Sequence, residues 1–347
     1  MTSITKQTKS LSGFQSDNIP SEVFSSTTPV ILKGLVSDWP LTQQKDKPLT
    51  TLISQLKKYY NGRAVPTYFG DAKIKGRLAY NENVSQLNFD IKQANVSNTL
   101  DEIISSFGDD NPPLRYIASS SVDLYFPELR KENDLSFDNE YFTLNPIDRL
   151  DPMVGIWIGN KTIAPCHYDA QNNIACCIAG KRKFTLFPPD QIKNLYPGPL
   201  APTPGGQVIS MVDFSQPDFD KHPKFEIALN HGEIAELEPG DALFIPSMWW
   251  HQVESKSDFN TLINYWWDTM PRINGQAMHA LHHALLSLRD RPESEKQAWK
   301  HIFDYYIFGD SDLAGAHLPE AARGVLGPID DLHARQLRAL LINKLNR

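Results

Sequence analysis

Between Gly155 and Phe187 the chain reads GIWIGNKTIAPCHYDAQNNIACCIAGKRKFTLF, and the texture of this stretch decides the fold. Short apolar runs, GIWIG, NIACCIAG and KFTLF, are broken by Asn, Asp, Gly and Pro every few residues. The rhythm continues through AELEPGDALFIP (235–246) and TLINYWW (261–267) to Asp268. Runs of this length bounded by turn residues are strands, and their number points to an antiparallel barrel or sandwich. Within the stretch, His167-Tyr168-Asp169 carries chemistry. Residues i and i+2 of a strand share a face, so His167 and Asp169 converge while Tyr168 turns away.

Outward from this core the pattern changes in both directions. Upstream, Pro29-Val30-Ile31-Leu32 reads as a strand, and Leu49, Leu52, Ile53 and Leu56 recur at helical spacing. Thr99 with Glu102 forms a capping box ahead of Leu100, Ile103, Ile104 and Phe107. Downstream of Pro271, one helix is marked by Met278, Leu281, Leu285 and Leu288. Ser294 with Gln297 opens a second, carrying Trp299, Ile302, Phe303 and Tyr306, and Leu337, Leu340, Leu341 and Leu345 mark a third. The expected organisation is a flexible stretch 1–15, a catalytic domain 16–272 with its barrel core at about 112–268, and a helical region 273–347. The fold class is mostly β with flanking helices.

A chain of 347 residues buries a sizeable core unaided. Its net charge of −7 argues against nucleic acid as a bulk electrostatic partner. The N-terminus lacks the apolar core of a secretion signal, and no apolar run approaches the roughly 18 residues of a membrane helix. Cys166, Cys176 and Cys177 are too few and too clustered for a disulfide framework. They fit free thiols in a reducing cytoplasm, away from any membrane.

A third metal ligand is expected at His251, which ends Ile245-Pro246-Ser247-Met248-Trp249-Trp250-His251 after the turn Pro239-Gly240-Asp241. Two histidines and a carboxylate make the facial triad of non-haem iron oxygenases, which leaves coordination positions open. An HxD by itself is a common chance pattern, so the flanking residues give it its weight. The segment from GIWIG through HYD to LFPPDQIKNLYPGP (155–199) resembles the heart of the JmjC-type, cupin-like Fe(II)- and 2-oxoglutarate-dependent hydroxylases. In particular it is similar to the asparaginyl hydroxylase that acts on hypoxia-inducible factor and to its bacterial relatives. QPDFDKHPKFEIALNHGEIAELEPGDALFIPSMWWHQVES (216–255) with NTLINYWW continues the resemblance in the same order, and TTPVILKGLVSDWP (27–40) is a weaker match. The resemblance implies a double-stranded β-helix (jelly-roll, cupin) barrel. It further implies Fe(II) on His167, Asp169 and His251, 2-oxoglutarate as cosubstrate, and O2. The implied reaction is hydroxylation of a C–H bond, on an amino-acid side chain of a protein or on a small molecule.

A dianionic cosubstrate held at the metal by its 2-oxo acid end leaves its other carboxylate inside the barrel, where an unpaired charge is prohibitive. Lys181, Arg182 and Lys183, beside the turn at Gly180, are the candidate cations. The resemblance places the family's cosubstrate-binding lysine on Arg182, whose guanidinium grips a carboxylate through two parallel hydrogen bonds. Asn173 shares a face with Asp169 in a regular strand. Asn264 and Trp266 share another and match positions that line the family's pocket, and Tyr116 matches a tyrosine that helps bind the distal carboxylate. Ala164 stands where the asparaginyl hydroxylase has a threonine touching that carboxylate, so the far end of the pocket is rebuilt.

Strand alternation turns Cys166 away from His167, against a zinc site, and Cys177 reads as a small buried apolar residue. Trp249 and Trp250 are expected as packing at the bend before His251, with one of them a candidate groove wall. The helical tail resembles the family's dimerisation element in position, which implies a homodimer through C-terminal helices. Specificity is expected in that tail and in the loop around Pro197–Pro217. Two rivals stay open: a zinc or manganese cupin acting without a 2-oxo acid, and a non-catalytic binding barrel.

Overall fold

The computed structural model describes residues 3–144, 152–270 and 272–346. Pro271, where the sequence texture changes, lies outside the described residues. The chain forms two compact units, Met1–Thr269 and Met270–Arg347.

In the first unit the upstream strands are β1 (Lys9–Ser12), β2 (Val30–Lys33), β3 (Val65–Gly70), β4 (Asp90–Ala94) and β5 (Leu114–Ser121). The barrel strands are β6 (Met153–Gly159), β7 (Thr162–Tyr168), β8 (Asn172–Ala179), β9 (Arg182–Phe187), β10 (Glu233–Leu237), β11 (Ala242–Ile245), β12 (Trp250–Ser255) and β13 (Asn260–Trp267). They divide between two sheets, with β9 and β10 the one consecutive pair in the same sheet. The large sheet has the order β1-β2-β11-β8-β13-β6-β5-β3-β4, and the small one β10-β9-β12-β7. Four strands from each, β11-β8-β13-β6 and β10-β9-β12-β7, make the facing halves of a jelly-roll barrel, the fold class expected.

Every residue of β8 is buried because both its faces are covered. Ile174, Cys176 and Ile178 belong to one outer core cluster with Leu52, Ile53 and Leu56 of the helix Leu49–Tyr59 and Leu100 and Ile103 of the helix Val96–Ser105. Ala175 and Cys177 face inward with Phe184, Leu186, Leu243 and Leu262. Each fully buried large aliphatic side chain contributes about 2 kcal/mol.

Two local expectations are corrected. Residues 9–12, expected to be flexible, form β1 and pair in parallel with β2, while the Thr8 N–H bonds to Ile234 O at 2.9 Å. The edge of β2 offers unpaired backbone groups, and a polar strand satisfies them as well as an apolar one. The helix expected to be capped by Thr99 begins earlier, at Val96. Asn95 caps it by accepting from the N–H groups of Ser97 and Asn98. Asn is the stronger cap, and Thr99 instead donates back to Asn95 O from the first turn.

The second unit contains helices Ala277–Ser287, Glu293–Phe303 and Asp331–Leu345. Glu293–Phe303 starts one residue before Ser294, so that residue is not its cap; Pro292 is. Among the described residues of this unit the buried apolar side chains are Ala314 and Ala334. No helix among the described residues is long and apolar enough to cross a membrane.

One buried carboxylate locks the barrel to its upstream extension. Asp241 accepts from the N–H groups of Gly34 and Glu238, both at 3.0 Å, and pairs with Lys33. Asp241→Ala strands these donors and is expected to cost about 3 kcal/mol, read as a lower urea midpoint at unchanged slope. A loss below about 1 kcal/mol would show that this tie does not hold the two parts together.

Candidate metal centre

The register of β12 on β7 sets His251 directly opposite His167, with ring centroids 4.4 Å apart. Asp169 lies just beyond the end of β7. In the bend before β12, Met248 adopts φ +68° and donates its N–H to Asp169 O at 2.7 Å, fastening the two ligand-bearing segments together. The candidate ligand atoms of His167, Asp169 and His251 all lie within 4.8 Å of one another. Tyr168 turns away and packs edge-on against Trp250.

Hydrogen bonds orient this donor set. His167 Nδ1 is 2.8 Å from Pro165 O, and His251 Nδ1 is 3.0 Å from Trp249 O. A carbonyl only accepts, so each Nδ1 carries the proton and each Nε2 lone pair is free for a metal. Trp266 Nε1 donates to Asp169 Oδ2 at 3.1 Å and holds the carboxylate in place. Burial, reinforced by His167 and opposed by Asp169, lowers the His251 pKa to about 4, so the imidazole stays neutral. Two neutral imidazoles and one carboxylate on a common point fit a divalent first-row metal.

The triad lines a cavity of about 260 Å³ whose apolar wall includes Ala164, Ala175, Phe184, Val253 and Leu262. Of the three candidate cations, Lys181 pairs with Glu238 and Lys183 with Glu254. Arg182 points inward, is 2% exposed, and has no hydrogen-bond partner at Nε or Nη2. Tyr116 lies beside it. Burial pushes the phenol up to about 12, and the guanidinium charge partly offsets this. Asn264 donates to Asn173 Oδ1 at 3.2 Å and accepts from Trp157 Nε1 at 2.7 Å, so both amides are held at the cavity wall.

The structure thus brings His167, Asp169, His251, Arg182, Asn173, Asn264, Tyr116 and Trp266 around one cavity. It leaves Trp249 and Trp250 off the wall. Trp249 Nε1 bonds to Thr27 O, and Trp250 packs with Cys166. Cys177 belongs to the barrel core, and burial raises its thiol to about 12.

Sequence reasoning missed Trp157, which fixes Asn264, and Tyr68 and Gln171, which also line the cavity. The signal for Trp157 was present in GIWIG, where glycines two residues to either side clear space on its strand face. A Cβ at Gly155 would meet Asn264 Oδ1 at 2.7 Å, and one at Gly159 would meet Tyr116 Cδ2 at 2.6 Å. The loop after Pro197 supplies Pro204, Gly205, Gln207 and Ile209 to the wall. Upstream residues strap it down. Tyr68 and Tyr80 donate to Pro204 O and Pro202 O, and Arg77 bonds to Val212 O and pairs with Asp213.

Comparison with known proteins gives a family and a set of relatives. A family model described as a cupin-like domain matches residues 16–273. The chain is 30% identical over 249 residues to JmjC domain-containing protein D of Dictyostelium discoideum, covering 66% of this chain and 49% of that one. It is 28% identical over 251 residues to lysine-specific demethylase 8 of Danio rerio, covering 71% and 55%. It is 24% identical over 255 residues to HSPB1-associated protein 1 of Homo sapiens, covering 73% and 50%. The chain spans about half the length of these curated relatives.

The buried neutral imidazole predicts a pH dependence. His251 takes a proton near 6.5 when unfolded and at about 4 when folded, so between those values the unfolded chain binds more protons. Stability present above pH 6.5 is therefore lost as pH falls toward about 4. Chelator-treated protein is expected to lose on the order of 3 kcal/mol through this group. Urea midpoints across that window should flatten in His251→Gln; an unchanged slope in the variant would sink the assignment.

Proposed function

The chain belongs to the JmjC-type, cupin-like family, and from that premise we propose that it is an Fe(II)- and 2-oxoglutarate-dependent oxygenase that hydroxylates a C–H bond. The observation that carries this reading is the buried Arg182, which lines the cavity it shares with the triad and has no hydrogen-bond partner at Nε or Nη2. A guanidinium cannot shed its proton, so a site built around an unpaired one is built for an anion. An acid able to reach both Arg182 and the triad needs a carboxylate at one end and a chelating group at the other, as 2-oxoglutarate has.

Fe(II) held by His167, Asp169 and His251 would supply the redox chemistry that consumes O2 and the 2-oxo acid, with carbon dioxide and succinate as by-products. The chain's own residues do the rest. Arg182 takes the distal carboxylate with its guanidinium, and Tyr116 donates its firmly held phenolic proton to the same end. Trp157 and Asn173 fix the Asn264 amide toward the bound acid. The Nδ1 protons of His167 and His251 stay on backbone carbonyls and keep both Nε2 atoms aimed at one point. The apolar wall excludes water, which strengthens every charge interaction inside.

The substrate group is an amino-acid side chain of a protein. This is supported by the relative whose name makes it a lysine-specific demethylase, since demethylation and side-chain hydroxylation both begin with oxygen entering a C–H bond. In calorimetric titration with Mn(II) as an inert metal, 2-oxoglutarate is expected to bind wild type and to bind Arg182→Met roughly 100-fold more weakly. Succinate formation with Fe(II) should vanish in His167→Ala. Equal binding by wild type and Arg182→Met would overturn the reading.

The partner we infer is a second copy of this chain. In the second unit Leu286 is 79% exposed, Phe308 76% and Leu332 59%, and Leu340, Leu341, Ile342 and Leu345 are exposed at the end of the last helix. Apolar side chains left uncovered together fit a surface that a partner covers. Light scattering is expected to give the mass of two chains for wild type and of one for Leu340→Asp/Ile342→Asp. A one-chain mass for wild type would remove the homodimer.

A further inference from the structure

Four neighbouring strands, β13, β6, β5 and β3, each place one oxidisable aromatic ring on the cavity wall: Trp266, Trp157, Tyr116 and Tyr68. Successive ring centroids are 5.8, 6.0 and 6.2 Å apart, which is near van der Waals contact between ring edges. The file is built rather than incidental, because Gly155 and Gly159 vacate the space that these rings fill beside Trp157. One end touches the triad, through Trp266 Nε1 on Asp169 Oδ2. The other end is Tyr68, which is partly exposed. The ring stacked beyond it is Phe89, which is not readily oxidised, so the file stops at Tyr68.

We propose that this aromatic file is an electron relay, through which Tyr68 reduces an oxidising equivalent left unspent at the triad and thereby spares the residues around it. One electron passes from Tyr68 through Tyr116, Trp157 and Trp266 to a redox-active metal ion held by the triad and oxidised there by a peroxide or O2, and the Tyr68 phenolic proton leaves to water. The product is a phenoxyl radical. A soluble one-electron reductant of the enediol class returns the electron, water returns the proton, and the phenol is restored.

The order of the rings supports this direction. A tyrosine that can lose its proton is easier to oxidise than a tryptophan, so the hole moves outward. Tyr116 is buried beside the Arg182 cation and keeps its proton, so it is a bridge and not a resting place. Tyr68, with its hydroxyl on Pro204 O and partial access to solvent, is where electron and proton can leave together.

The relay requires a redox-active metal on the triad but not a particular cosubstrate, and the test uses that difference. Full-length protein loaded with Fe(II) is mixed with hydrogen peroxide without any 2-oxo acid, freeze-quenched for electron paramagnetic resonance, and digested for mass spectrometry. Wild type is expected to give a tyrosyl signal that is absent in Tyr68→Phe and retained in Tyr80→Phe, whose ring lies outside the file. Trp157→Phe should lose the signal and gain oxygen on Trp266 several-fold faster, and Trp157→Tyr, which keeps an oxidisable ring, should restore wild-type behaviour. A merely structural Trp157 would not separate those two substitutions. A tyrosyl signal that survives Tyr68→Phe, or equal Trp266 oxidation in wild type and Trp157→Phe, overturns the relay. A signal unchanged in His167→Ala overturns it by placing the iron elsewhere, whereas failure of 2-oxoglutarate binding alone leaves this readout intact.

Discussion

Two imidazoles far apart in the chain face one point because β12 sets His251 opposite His167 on β7, just ahead of a bulge that shifts the pairing by one residue before Val253. Strand side chains alternate, so a slip of one residue would carry His251 to the opposite face and present Trp250 or Gln252 in its place. The register is held from several directions. β12 pairs with β9 as well as β7, and Met248 donates to Asp169 O in the bend where the slip would have to begin. Trp249 is pinned to Thr27 O on one side of His251, and Trp250 is packed against Tyr168 beneath it. The triad is thus a property of sheet pairing before it is a property of three side chains.

The same barrel carries an electrostatic cost inside its cavity. Arg182 lines the cavity together with Ala175, Phe184, Val253 and Leu262 and has Nε and Nη2 unmatched, and a buried charge in that state is worth several kcal/mol of lost solvation. Below pH 6.5 the neutral His251 of the triad adds a second deficit, since burial excludes its charged form. Both lie in one cavity, so the energy given up in folding it returns when the cavity fills. Lys181 and Lys183 carry no such cost, because they point outward to Glu238 and Glu254.

Much of this was legible in the sequence, for identifiable reasons. His167 and Asp169 are two apart where β7 ends, and strand alternation carried one residue past Tyr168 puts both on one face. His251 was legible from its flanking residues rather than from spacing, because no rule of local structure links it to β7. Among Lys181, Arg182 and Lys183 the turn at Gly180 hides which residue begins the inward alternation, and only the pairing of β9 with β10 and β12 resolves it. The short upstream strands were least legible. β1 is polar and β4 is almost wholly exposed, so neither has the alternation that marks a half-buried strand. In GIWIG the glycines read as turn punctuation, yet they lie inside β6, where their role is to leave room.

The strapping of the roof loop has a consequence for how such a barrel diversifies. Pro202, Pro204 and Val212 receive their hydrogen bonds from Tyr80, Tyr68 and Arg77, which lie upstream of the barrel strands. The surface a substrate would meet is therefore written in two distant parts of the gene. Transplanting residues 197–212 alone into a sister barrel would deliver the letters of that surface without its shape. Inheritance of a new specificity in this lineage must move both parts together, or rebuild the anchors before the loop.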